Sequence, residues 1–123
     1  MLEGVPKGLP SLVKAYRIQD KVRGVGFDWE HAEQVWDKFE EELAEFIAEV
    51  DVDHDRAVDE FGDVLFALVN YARFKDINPD EALERTNRRF QARFQHMEAA
   101  IQVDAARGGK AVSYTHLTLP TMM

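Results

Sequence analysis

Two acidic pairs have types and spacing that could do chemistry. Glu42 and Glu45 stand three positions apart, and so do Glu60 and Asp63. On a helix, residues three apart project from one side. At 100° per residue each pair borders its helix's apolar stripe and does not oppose it. Packing the two helices together would bring four carboxylates into one place, where they repel and raise one another's pKa. A hard divalent cation resolves that conflict, because Mg²⁺ prefers oxygen ligands, keeps several waters and bridges carboxylates to substrate phosphates. Taken singly, each acid reads first as part of a solvated helix face paired with Lys38, Arg56 and their neighbours; the two matched pairs together favour metal binding. The four histidines, His31, His54, His96 and His116, do not fall at ligand spacing from the acids, so the all-oxygen set points to Mg²⁺ or Mn²⁺. Gly62 sits between Glu60 and Asp63. A helix-interior glycine costs about 1 kcal/mol relative to alanine, which suggests close approach of another backbone or a ligand.

Opposite charge comes from further along the chain. Arg89 and Arg93 are four apart and share a helix face, with Thr86 near them. Asn87 borders the other side of the stripe Leu83, Phe90, Phe94 and Met97. Guanidinium forks suit phosphate oxygens, so beside a carboxylate cluster and a cation they suggest a polyphosphate ligand. Alone, they read as a basic strip pairing with acids. Trp29 and Trp36 could stack on a base but are expected as core or interface aromatics. Asn70 lies two turns beyond Asp63 on the same side. There is no GxxxxGK[ST] or GxGxxG phosphate loop, and no Ser-His-Asp set can be placed.

The elements that must position these residues are helical. After a Gly/Pro-rich lead-in over 1–10, a first helix is expected from Pro10 to Val22, with Leu12, Val13, Tyr16 and Ile18 apolar, broken by Arg23-Gly24-Val25-Gly26. Asp28 is expected to cap a second helix, Trp29 to Val50, with its stripe at Val35, Phe39, Leu43, Phe46, Ile47 and Val50. After a polar turn at Asp51–Asp55, a third helix runs Arg56 to Phe74, with Val58, Phe61, Leu65, Leu68 and Val69 inward. Asn78-Pro79 starts a fourth, an Asn cap followed by Pro and two acids, ending near Ala106 before Gly108-Gly109. With no convincing strand or repeat, the fold expected is an all-α four-helix bundle.

The 123 residues suffice for one domain, and so modest a core is often extended by pairing with a second copy. A net charge of −8 disfavours a general nucleic-acid binder. Without cysteines there is no disulfide, thiolate site or thiol nucleophile. No apolar run approaches the roughly 20 residues that span a bilayer, and the N-terminus lacks a signal-peptide core. No membrane association and a cytoplasmic location are therefore expected. Residues 112–121, VSYTHLTLPT, read as a translated sequencing adaptor. The expectation is one domain over 1–111, truncated at its C-terminus, and a non-native tail over 112–123; a short C-terminal strand is the alternative.

The blocks GVPKGLPSLVKAYRIQDKVRGVGFDW, KFEEELAEF, DEFGDVLFALVNYARF and NPDEALERTNRRFQARFQHME together resemble the MazG family. The likeness covers about residues 4–106 and is nearest the C-terminal domain of two-domain MazG proteins. ExxE followed by ExxD is moderately specific; the GFDW, GDVLFALVN and NRRFQARF blocks make it strong. The resemblance implies an all-α pyrophosphohydrolase, usually dimeric, that splits nucleoside triphosphates between the α and β phosphates into nucleoside monophosphate and pyrophosphate. It implies Glu42, Glu45, Glu60 and Asp63 as Mg²⁺ ligands. Glu41 matches the leading acid of the EExxE form, as a base or a ligand to a second metal, and Lys38, Arg89 and Arg93 match phosphate-contacting positions. Arg89 departs from the commoner Lys there. The family's domain usually continues past helix four into a segment with an aromatic near the nucleotide, and usually has an N-terminal sister domain; neither is found in this sequence.

The mechanism expected has the ligand acids and Mg²⁺ binding the triphosphate, a metal-activated water attacking in line, and Glu41 accepting its proton. Asn87 joins Lys38, Arg89 and Arg93 as a substrate-binding candidate. Two other readings stand beside this one: a phosphoribosyl-ATP-, dUTP- or dCTP-specific pyrophosphatase on the same bundle, and a non-catalytic dimeric helical interaction module.

Overall fold

A computed structural model describes residues 2–106. Among these, the chain folds into four helices and no strand, as expected for an all-α protein: α1 Ser11–Arg23, α2 Ala32–Glu49, α3 His54–Phe74 and α4 Pro79–Ala106. Two compact units divide after Asp80. The first holds α1, α2 and α3; α4 lies almost entirely in the second. The expected helix stop at Gly108-Gly109 and the tail over 112–123 lie outside the described residues.

In the first unit, α1 ends where Gly26 takes a positive φ of 94°, and the Phe27 amide reaches back to the Val22 carbonyl at 3.2 Å. Any side chain at Gly26 would strain that turn. The second helix starts three residues later than expected, and Asp28 does not cap it. Instead the Gln34 side-chain oxygen accepts from the amides of Glu30 and His31, at 3.0 and 3.1 Å, closing the helix start from within. Asp28 is diverted by a stronger partner, a guanidinium on α3. Asp53 caps α3 by accepting from the Arg56 amide at 3.2 Å, so that helix begins inside the expected polar turn.

So short a connection makes α2 and α3 antiparallel neighbours. Trp36 near the start of α2 meets Tyr71 near the end of α3, and Phe46 meets Phe61 at the other end, with centroids 5.0 and 5.3 Å apart. Packed against them, α1 meets α3. The interior is built from Val35, Ala57, Val64, Ala67 and Val69, with Gln19, Glu42, Asn70 and Arg73 buried among them.

Here the expected inward face of α3 is overturned. Val69 is buried, but Val58, Phe61, Leu65 and Leu68 are exposed, Phe61 at 50%. On α2 the stripe likewise fails at its end, with Ile47 at 62% and Val50 also exposed. The third helix carries apolar residues on two adjoining faces, and the face it turns inward is the one of small residues interrupted by polar ones. Periodicity counts apolar side chains and so favoured the other.

At the end of the first unit, Asn78 Oδ1 accepts from the Asp80 amide at 3.1 Å, the expected start of α4, whose remainder forms the second unit. Arg85 pairs with Glu81 at 2.9 Å and Arg88 with Glu84 at 3.7 Å, and the rings of Phe90 and Phe94 stack at 6.3 Å.

Candidate metal and nucleotide site

The α2–α3 hairpin brings Glu42, Glu60 and Asp63 together. One carboxylate oxygen from each lies within 4.8 Å of the others. Glu42 is buried, Glu60 half-buried and Asp63 exposed, so the cluster opens from the core toward solvent. Lys38, one turn before Glu42, gives it an ion pair at 2.9 Å and approaches Glu41 at 3.7 Å. Its hydrogen bond to Glu42 outweighs burial and raises the Lys38 pKa above the ordinary lysine value. One ammonium does not satisfy the cluster. Glu42 Oε2 and Glu60 Oε2 are both buried without a hydrogen-bond partner. Buried carboxylate oxygens are expensive to leave unpaired, and two of them beside a third acid fit a hard cation.

Glu45 does not join this trio. It lies exposed beside it, and its carboxyl pKa is raised above the ordinary value, first by the charge of Glu42, then by burial, Glu60 and Glu41. Of the four acids, then, three converge and the fourth feels their field. The close approach expected at Gly62 is not made among the described residues: a Cβ added there would meet nothing within 4 Å. Arg89, Arg93 and Asn87 are exposed on α4, in the second unit, where Arg89 donates to Thr86 Oγ1 at 3.4 Å.

From the cluster a hollow of about 270 Å³ opens, lined by Glu42, Asp63 and Lys38 together with Trp29, Gln19 and Asn70. Trp29 is therefore not a core residue of this chain but a wall of the hollow. Two further residues escaped the sequence reading. Gln19 is buried and donates to the carbonyls of Ala15 and Phe66, each at 3.2 Å. Arg73 grips Asp28 at 2.7 Å and Asn70 at 2.9 Å. Burial raises the Asp28 pKa, but hydrogen bonds from Arg73 and the Trp29 amide, with the charges of Arg73 and Arg23, outweigh it and hold the carboxyl below its ordinary value. A charged residue on an otherwise small-residue face was the available signal for Arg73; it reads more simply as a last-turn cation favoured by the helix dipole.

Residues 15–90, running from within α1 through the acid cluster to the first part of α4, match the family model described as phosphoribosyl-ATP pyrophosphohydrolase. The chain belongs to that family. Among curated relatives of this pyrophosphohydrolase-family domain, the nucleoside triphosphate pyrophosphohydrolase/pyrophosphatase MazG of Thermotoga maritima is 43% identical over 96 residues, 78% of this chain and 37% of the relative. The nucleoside triphosphate pyrophosphohydrolase of Escherichia coli K12 is 38% identical over 124 residues, 98% of this chain and 45% of the relative. An uncharacterized protein, YabN of Bacillus subtilis, is 62% identical over 39 residues, 32% of this chain and 8% of its own length. The MazG resemblance is thus borne out, and the domain spans less than half the length of these relatives.

Proposed function

We propose that this chain hydrolyses nucleoside triphosphates to nucleoside monophosphate and pyrophosphate, using a divalent cation, Mg²⁺ or Mn²⁺. The observation that carries the reading is the convergence of Glu42, Glu60 and Asp63 with two buried carboxylate oxygens lacking partners. Those three acids would hold the ion, with Glu45 as the fourth ligand on its exposed side. Bound there, the cation would supply charge neutralisation for the phosphates and acidify a water. Glu41, exposed next to Lys38, takes the proton from the attacking water. Lys38 holds Glu42 in place and offsets charge at the pyrophosphate leaving group. Arg89, Arg93 and Asn87, exposed on α4 in the second unit, are candidates for binding phosphate by their chemistry alone.

The names of the Thermotoga and Escherichia coli relatives support nucleoside triphosphates as substrates. The matched family supports including phosphoribosyl-ATP among the substrates tested. The chain acts as a homodimer through the exposed apolar face of α3, in the cytoplasm. No described helix is long and apolar enough to cross a membrane. The deciding experiment is pyrophosphate release from ribo- and deoxynucleoside triphosphates, dUTP and phosphoribosyl-ATP, with Mg²⁺ or with EDTA. Mg²⁺-dependent pyrophosphate and monophosphate in equal amounts supports the reading. No release, with no Mg²⁺-dependent thermal shift, favours a non-catalytic helical module.

A further inference from the structure

We infer that Arg73, held by Asp28, positions Asn70 to read the heterocyclic base of the bound nucleotide, with Gln19 as the opposing acceptor. This deepens the nucleotide reading above and rests on it. The argument begins with which atoms can face which. A guanidinium only donates. Arg73 Nε and Nη2 both reach Asn70, at 3.1 and 2.9 Å, so both must land on its oxygen, Oδ1. The Asn70 amide nitrogen is thereby turned away from Arg73. Backbone carbonyls only accept, so Gln19 must face Ala15 and Phe66 with its nitrogen, and its oxygen turns the other way. Among the hydrogen bonds of described residues, neither Asn70 Nδ2 nor Gln19 Oε1 is used.

Both residues are buried, and both line the hollow that contains Glu42 and Asp63. They also line an adjoining hollow of about 290 Å³ beside Phe27 and Asp28, and Trp29 and Phe66 wall both spaces. An oriented donor and an oriented acceptor between apolar and aromatic walls make a receptor for a flat heterocycle, gripped by its faces and read along its edge. With phosphates and cation at the acids, the base is directed toward the two amides. Guanine and uracil offer a keto oxygen beside a ring N–H, which pairs with Asn70 and Gln19 in turn. In that same pose adenine and cytosine would set an amino group against the Asn70 donor and a bare ring nitrogen against the Gln19 oxygen, so the pair favours keto-edged bases.

Arg73 is a positioning residue because its guanidinium is taken up by Asp28, Asn70 and the Phe74 ring, whose centroid lies 4.8 Å away. Its side chain is 7% exposed, and a buried charge is tolerated only when paired. Asp28 supplies the pair from the same loop that carries Phe27 and Trp29, so one contact both neutralises the guanidinium and clamps that loop over the hollow.

The test is calorimetric binding, with Mg²⁺, of ATP, GTP, CTP and UTP analogues bearing a methylene group between the α and β phosphorus atoms. Pyrophosphate release by the wild type from the natural nucleotides is measured alongside. Asn70→Asp still accepts from Arg73 but presents an oxygen where the N–H donors stood. The affinity ratio of keto-edged to amino-edged analogues is expected to fall about tenfold, a ratio that a general electrostatic change would leave alone. Arg73→Met frees the amide to flip and should flatten the ranking of bases; Arg73→Lys, which still donates to Oδ1, should restore it in part. Should Arg73→Met fail to fold, Asn70→Asp carries the test. An unchanged base ranking in Asn70→Asp overturns the inference and leaves the proposed reaction standing. Base-ranked binding without pyrophosphate release supports the inference and overturns the reaction. No binding of any analogue by the wild type overturns both.

Discussion

Along α3, Glu60, Val64, Ala67, Asn70 and Arg73 follow one another on the side that faces the rest of its unit, while Val58, Phe61, Leu65 and Leu68 face solvent. Simple burial would choose the opposite arrangement, since each large apolar side chain removed from water contributes about 1.5–3 kcal/mol. The inner face instead uses small residues and places carboxylates, an amide and a guanidinium among them. Small residues leave space for the hollow, and the polar ones give that space its chemistry. The outer face keeps what the inner one gives up, a row of large hydrophobes of the kind that marks an interaction surface. Stability and site construction are thus divided between two sides of one helix, and the proposed second copy would recover the burial that the site forgoes.

The largest effect should come from the inner face. Glu42→Gln, which keeps the shape and removes the charge, should lower pyrophosphate release at least about a thousandfold with helicity by circular dichroism unchanged. Loss of helicity together with activity would show the acids to be structural. On the outer face, Phe61→Asp or Leu65→Lys should weaken self-association about a hundredfold, seen by light scattering as a change from dimer to monomer. A wild type that is already monomeric would leave the apolar row without a second copy to cover it.

Asp28→Ala should destabilise the fold by about 3 kcal/mol, because it strands the buried Arg73. The acid dependence follows from the lowered Asp28 pKa. A carboxyl whose folded pKa lies below its unfolded one contributes stability above the unfolded value, and loses it as pH falls through the folded value. The wild type should therefore lose this contribution during acidification below about pH 4, and Asp28→Ala should show a shallower acid limb in urea titrations. The smallest effect is expected at Gly62, where a methyl group meets open space. Gly62→Ala should stabilise the helix by about 1 kcal/mol. If it also impairs association or turnover, that space is occupied in the working molecule.

The helices were legible because their signals are local: the Asn78-Pro79 start, the glycine break after Arg23, and apolar spacing through α2. So were the three acids that converge, Glu42, Glu60 and Asp63, because ExxE and ExxD fix which residues share a helix side; Glu45, expected with them, stays beside the trio. Which side would face inward was not legible on α3, since its two faces compete and periodicity weighs only the apolar one. Gln19 and Arg73 were missed for a related reason. A polar residue in an amphipathic pattern reads as surface, and only the tertiary partners (two carbonyls for Gln19, Asp28 for Arg73) make it tolerable inside. Asp28 was misplaced because its local role as a cap competes with an ion pair to a residue 45 positions away, which no local pattern encodes.

The turn between Glu49 and His54 has a consequence for how the protein comes to be made. Closing so short a loop costs little entropy, and hairpins of local contacts form early and fast. Glu42, Glu60 and Asp63 all belong to that one hairpin. The like-charged trio is therefore expected to assemble ahead of the Asp28–Arg73 clasp. An available divalent ion would speed refolding through the hairpin, and in stopped-flow experiments Mg²⁺ should raise the folding rate as well as slow unfolding.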